Sequence, residues 1–375
     1  MSTITRESFG KLKDGREAFL YSLRNTKGTE VKLTNYGARL VSWIIRDKDF
    51  QKVDVLLGLS SAADYEKDNK FFGAIVGRHA NRIGGAEFTL NGVTYHVDKN
   101  DGSRQQNHLH GGPHGFFSKL WEAEETKEGV LLTYVSPDGE AGVPGTMTTK
   151  VLYGLSNDNE LSIRYEAVSD QDTVCNLTNH AYFNLDGFAA GSVEKQRIQL
   201  FADSYTWADA ESLPDGRILK VDGTPMDLRE LTEIGAHIGE DFDQLKMGRG
   251  YDHNFCIREE KPKVELEQGA FGYDIACPID YNDGGLKKAA YAEGAKSGIT
   301  LTMYTTLPGM QFYSGNFLDA DMAGKDGVKF PFRSGFCLEA QYYPNALHHP
   351  EFAQPILKKG EVFRAQTVYV LKNNK

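Results

Sequence analysis

Leu161-Ser162-Ile163-Arg164-Tyr165-Glu166-Ala167 places an apolar side chain at every odd position and a polar one at every even position. Successive side chains of a strand point to opposite faces, so a period of two marks a strand with one face toward a core. Working outward, the segment from Glu87 to Tyr95 sets Asn91-Gly92 between two alternating runs. That dipeptide accepts the positive φ angles of a type I′ turn, which predicts a tight hairpin. Residues 40–45, 130–135, 148–153, 197–201, 299–303 and 367–371 repeat the strand pattern, with Gly, Asn, Asp and Pro between them. Helical periodicity is scarce, with Asp227 positioned to cap a short helix through about Ile234 that Gly235 would end. The predicted fold class is therefore all-β, a large antiparallel β-sandwich with few short helices.

No Pro/Ser-rich linker or low-complexity tract divides the chain, and residues 1–375 read as a single domain. The least strand-like stretch, 281–297, carries Asp283-Gly284-Gly285 and then Lys287-Lys288-Ala289-Ala290. It reads as an exposed insertion with a helical turn. A net charge of −10 offers no basic field for nucleic-acid phosphates. The 40% of hydrophobic residues are dispersed, and no run approaches the ~18 needed to span a bilayer. The amino terminus has no apolar signal core, which places the protein in the cytoplasm. Cys175, Cys256, Cys277 and Cys337 are far apart in apolar contexts without a C-x-x-C pair, and read as buried free thiols.

Two segments place one ionisable residue among apolar and amide neighbours: Asn179-His180-Ala181-Tyr182-Phe183-Asn184 and Cys337-Leu338-Glu339-Ala340-Gln341. Such settings shift an imidazole or a carboxylate toward neutrality and point to an acid–base enzyme. His108-Leu109-His110-Gly111-Gly112-Pro113-His114 is the strongest local anomaly. Residues two apart on a strand share a face, which would turn His108 and His110 into one pocket. A metal there needs three or more ligands, and a carboxylate is missing where His114 stands. The other reading of His110 is a neutral hydrogen-bonding residue beside a Gly-Gly turn. Arg78, Asn81 and Arg82 form an array that suits hydroxyls, and also suits loop bridging. No G-x-S-x-G elbow, Walker loop or dinucleotide fingerprint is present.

Taken in order, the motifs resemble the galactose mutarotase, or aldose 1-epimerase, family. They are Asn35-Tyr36-Gly37-Ala38, Gly77-Arg78 with Asn81-Arg82-Ile83, Leu109-His110-Gly111-Gly112, Thr178-Asn179-His180 with Tyr182-Phe183-Asn184-Leu185, Gly223-Thr224-Pro225, Tyr251-Asp252-His253, Pro308-Gly309 with Gln311-Phe312-Tyr313, and Gly335-Phe336-Cys337-Leu338-Glu339. The resemblance runs from about Phe9 to the carboxyl end. It implies a galactose mutarotase-like supersandwich with a sugar cleft and neither metal nor organic cofactor. It assigns the general acid to His180 and the general base to Glu339, and sugar binding to Asn81, Arg82, His110, Asp252 and Gln311, with Tyr182 beside the acid. The lengthened approach Gln105-Gln106-Asn107-His108 departs from the pattern and would alter the cleft rim.

The chemistry agrees. Opening a cyclic hemiacetal needs a proton taken from the anomeric hydroxyl and one given to the ring oxygen, and a carboxylate with an imidazolium can do both. Glu339 and Asp252 would favour the imidazolium. The implied partner is a free hexose such as galactose or glucose, and the chain is expected to be a monomer or a weak homodimer that engages neither nucleic acid nor membrane. A hexose-6-phosphate mutarotase would need a cationic rim, for which Arg104 and Lys119 are the candidates. A non-catalytic carbohydrate-binding protein would not need the His180 and Glu339 pair.

Overall fold

The computed structural model describes residues 2–259 and 285–373. Residues 161–167 lie in the strand Glu160–Ser169, with Leu161, Ile163, Tyr165 and Ala167 in the main hydrophobic core. The polar face is covered as well: Gln366 Nε2 donates to Ser162 Oγ at 2.8 Å, and Arg164 Nη1 to Glu128 Oε2 at 2.8 Å. Polar side chains can be buried there because each finds a partner.

That strand belongs to a nine-stranded antiparallel sheet. Its order is Glu122–Glu125, Val130–Ser136, Met147–Leu155, Glu160–Ser169, Val362–Asn373, Ile299–Thr305, Lys287–Glu293, Arg197–Leu200 and Thr232–Glu233. A six-stranded sheet faces the same core. It runs Tyr182–Phe183, Phe336–Gln341, Gly309–Tyr313, Asp252–Ile257, Ala202–Ala208 and Pro214–Lys220. Phe255, Met310, Phe312, Phe336 and Leu338 of the second sheet join Ile163 and Tyr165 of the first in one cluster. A five-stranded meander, from Thr3–Lys11 to Lys52–Asp54, adds Leu33, Leu40 and Trp43 to that cluster. The expected all-β antiparallel architecture is present, with two short α-helices among the described residues, Ala62–Tyr65 and Asp243–Gly248. None of these helices is long and apolar enough to cross a membrane.

The hairpin forms as predicted, with Glu87–Leu90 paired to Val93–His96 and φ of +52° at Asn91 and +77° at Gly92. Two expectations fail. Residues 227–234 are not helical: the Asp227 carboxylate is held by the side chain of its neighbour Arg229, and Thr232–Glu233 pairs with Arg197–Ile198. The stretch 285–297 is no exposed helical insertion either, since Lys287–Glu293 is a strand between Ile299–Thr305 and Arg197–Leu200. Ala289, Ala290 and Ala292 are buried, while the Lys287 ammonium reaches Glu259 and that of Lys288 lies over the Phe201 ring. Long lysine stems let charged heads leave a packed strand. Residues 281–284, and Cys277, lie outside the described residues. Cys175 and Cys337 are buried free thiols and Cys256 is half-buried.

Arg39 and Asp68 form a fully buried ion pair at 2.6 Å. Arg39 also donates to the carbonyls of Phe72 and Phe117, and Asp68 accepts from the Phe72 amide. These bonds fix the loop of residues 68–74. Arg39→Met would strand a buried carboxylate and is expected to cost about 3–5 kcal/mol of unfolding free energy, read from urea denaturation.

Candidate active site

Directly opposed residues of an antiparallel pair present their side chains to the same face. In the six-stranded sheet, Cys337 stands opposite both Tyr182 and Tyr313, and Tyr313 opposite Asp252. The next row aligns Glu339, Gln311 and Asn254. Gln341 follows two residues after Glu339. All of these share one face, while Leu338, Ala340, Met310, Phe312 and Phe255 of the same strands fill the core. The period of two thus sorts a hydroxyl, thiol, carboxylate and amide surface from an apolar one.

The face is cross-linked. Asn81 Nδ2 donates to Gln341 Oε1 at 3.3 Å, Gln341 Nε2 to Asn254 Oδ1 and Gln311 Oε1 at 3.2 Å each, and Gln311 Nε2 to Asp252 Oδ1 at 2.7 Å. Arg82 Nε donates to Asp101 Oδ2 at 2.9 Å, which aims the guanidinium from the rim. Asp101 opens the lengthened loop 101–107, which is anchored to Glu211 by Ser103 and Gln106. Two buried atoms on the face, Glu339 Oε2 and Asn254 Nδ2, have no hydrogen-bond partner among the described residues. Buried polar atoms are costly to leave unpaired, so this surface is built to receive polar groups from a ligand.

The histidines come from loops pressed against this face. The backbone of His180 donates to Ala74 O and accepts from Gly73 N, both at 2.9 Å. Its ring stacks on Tyr182 at 5.0 Å between centroids, and Phe71 covers it at 5.7 Å. His110 has φ of +53° and leads into Gly111, where a Cβ would lie 2.0 Å from Gly77 O. Only glycine allows that approach. His180 Nε2 lies 3.6 Å from Glu339 Oε2, and the rings of His110 and His180 sit edge to face with centroids 5.2 Å apart.

Burial governs the charges. It pushes His180 down to about 3, and it lowers His110 well below the usual imidazole range, with the nearby His180 adding to the effect. It holds Glu339 well above the usual carboxylate range, reinforced by Asp252 and opposed by Arg82. Asp252 is raised by burial and opposed by Arg82. The expectation that carboxylates would favour a His180 imidazolium is therefore reversed for the unliganded cleft. Burial drives both partners toward their neutral forms.

One ligand atom from each of His110, His180 and Glu339 lies within 4.8 Å of the others, close enough to consider a metal. The donor chemistry argues for a different use. His110 Nδ1 accepts a hydrogen bond from the Asn81 amide at 3.2 Å, which puts the ring proton on Nε2. A metal-bound imidazole has the opposite arrangement, with the other nitrogen donating outward. The originally suspected cluster does not form: His108 Nδ1 bonds Asp98 O at 2.6 Å, His114 is exposed, and the positive φ of His110 breaks the strand that would align it with His108.

Of the other expected residues, Asn81, Arg82, His110, Tyr182, Asp252 and Gln311 all lie around the His180–Glu339 pair and the amide network beside it. Arg78 does not, because its guanidinium is used up on Ser136, Pro137 and Pro144. Lys119 is paired with Glu140 at 2.6 Å, which removes it as a phosphate ligand. Gln341 and Asn254 were overlooked, although each lies two residues beyond an identified one on the same strand. Asp101 and Phe71 come from loops and carry no such signal.

Fold and site together define an all-β protein with a buried imidazole–carboxyl pair set among amide side chains. The family model described as aldose 1-epimerase matches residues 20–370. The chain is 38% identical to galactose mutarotase of Rattus norvegicus, with 98% of each chain covered. It is 34% identical to aldose 1-epimerase of Escherichia coli (strain K12), over 95% of this chain and 96% of that one. Among solved structures, galactose 1-epimerase from Lactobacillus acidophilus NCFM superposes with a TM-score of 0.82 at 27% identity and full coverage of both chains. The chain belongs to the aldose 1-epimerase family.

Proposed function

We propose that this aldose 1-epimerase interconverts the α and β anomers of free hexoses such as galactose and glucose, with Glu339 and His180 as its acid–base pair. The observation that carries the assignment is the 3.6 Å approach of two buried ionisable groups, beside an unpartnered carboxyl oxygen of Glu339 and amide nitrogen of Asn254. The carboxylate of Glu339 takes the proton of the anomeric hydroxyl while imidazolium His180 gives one to the ring oxygen; the C1–O5 bond breaks and the aldehyde forms. Rotation about C1–C2 turns the other face of the carbonyl to the ring hydroxyl, and the two transfers run backwards. At the open-chain stage Glu339 is protonated and His180 neutral. Burial favours that same arrangement, so a proton must pass from Glu339 to His180 Nε2 before the ring of the closed sugar opens. Asn81, Arg82, His110, Asp252 and Gln311 hold the unreactive hydroxyls, and Tyr182 flanks the acid.

We further take the chain as one domain, a cytoplasmic monomer or weak homodimer that engages neither nucleic acid nor membrane and uses neither metal nor organic cofactor. The central place of Val362–Asn373 in the large sheet supports the first of these readings.

The pH profile of galactose mutarotation, followed by polarimetry, tests the pair. A second proton must enter His180, which burial has lowered to about 3, so the acid limb of kcat/KM should fall well below the ordinary imidazole value of ~6.5. The alkaline limb marks loss of the single proton from a pair in which Glu339 is raised, and both values belong to the pair. Asp252→Asn removes a charge that raises Glu339, and is expected to move the alkaline limb to lower pH while weakening sugar binding. An alkaline limb that stays fixed or rises would refute the coupling.

A further inference from the structure

His180 faces the cleft with Nε2, so its other ring nitrogen must be managed from behind. Among the described residues, the side chain hydrogen-bonded to Nδ1 is Cys337, whose Sγ lies 3.6 Å away. Cys337 is fully buried, lies two residues before Glu339 on the same strand, and is wedged between the cross-strand neighbours Tyr182 and Tyr313. Its thiol therefore has a fixed position against the ring, in the same sheet row as the aromatic residue that stacks on His180.

We propose that Cys337 is a positioning residue that serves the His180 ring in both of its protonation states. The inference rests on the reading of His180 as the acid. A thiol can both donate and accept, weakly in each role. With His180 protonated, Nδ1–H is donated to the sulfur and Nε2–H faces the sugar. When Nε2 has given its proton to the ring oxygen, the ring proton left on Nδ1 stays bonded to the sulfur, and Nε2 is bare to take the proton back. No proton leaves the thiol in either case, and burial raises the Cys337 pKa well above the ordinary range, consistent with a group that stays protonated. The Asn81 amide does the opposite for His110, since its N–H can only donate and so holds that ring's proton on Nε2. That difference separates a ring that cycles from one that stays neutral. Arg39, Tyr182, Tyr313, His110 and Glu339 also surround the His180 ring, but none of them is hydrogen-bonded to Nδ1.

The test compares Cys337→Ala with Cys337→Ser in the full chain. A weak hydrogen bond lost from a cycling ring should lower kcat for galactose about 3- to 10-fold in the alanine variant with KM within about twofold, while serine, which also donates and accepts, stays within about twofold of the parent. A residue that merely packs would move both variants together. In protein labelled with ¹⁵N-histidine, the His180 signals are those missing from His180→Asn. Nδ1 should read as protonated in the parent and in the serine variant, and shift toward a mixture of tautomers in the alanine variant. Parent-like kcat in Cys337→Ala, an equal loss in both variants, or an unprotonated Nδ1 in the parent at neutral pH would each overturn the proposal. The last readout decides even if the alanine variant fails to fold. Full activity in His180→Asn would instead refute the acid assignment itself.

Discussion

Glu339→Gln is expected to fold, to bind galactose, and to lose about 10³-fold or more of kcat, the range a positioned acid–base group supplies. The side chain is buried, and its Oε2 has no protein partner to lose among the described residues. An amide of the same shape therefore breaks no hydrogen bond at that atom, and it removes a group whose ionisation burial already opposes. What it cannot do is take a proton from the anomeric hydroxyl. Polarimetry gives kcat, calorimetric titration with galactose gives affinity, and circular dichroism checks the fold. Retention of most activity, or collapse of the fold, would make Glu339 a structural residue.

His180→Asn removes the other half of the pair and should lower kcat by about 10²–10⁴-fold. Here the shape changes, since the ring lies between Tyr182 and Phe71, and some loss of thermal stability is expected alongside. The decisive measurement is the double variant. Two groups that exchange roles within one cycle act as a unit, so Glu339→Gln combined with His180→Asn should be only a few-fold worse than the poorer single variant, about the residual expected for strongly non-additive residues. Multiplicative losses would mean that the two act in separate steps.

The sequence exposes much of this because a strand's period is short and rigid. Once Leu161 to Ala167 or Phe336 to Gln341 is recognised as a strand, every second residue is assigned to a face, and Glu339 falls with Gln341 and Cys337 on the side opposite Leu338. Loops have no period. That the Phe71 ring would cover His180, or that Asp101 would aim Arg82, depends on backbone excursions such as the positive φ of Phe71 and of His110. Lys287 to Ala290 misled for a related reason: two lysines beside alanines look like a solvated turn, and only neighbouring strands on both sides explain why small residues are needed there. The protonation of His180 was misjudged because charge neighbours are visible in a motif and burial is not.

The position of Val362–Asn373 bears on how the molecule comes into being. This twelve-residue strand lies between Glu160–Ser169 and Ile299–Thr305, and its register joins Glu160 to Val370 and Thr305 to Thr367. During synthesis the two halves of the large sheet have no seam until residues beyond 360 emerge from the ribosome. Until then Glu160–Ser169 offers an open edge, the kind of template on which nascent chains aggregate. Partners some two hundred positions apart also make folding slow, since the entropy of closing so long a loop is lost before the ladder forms.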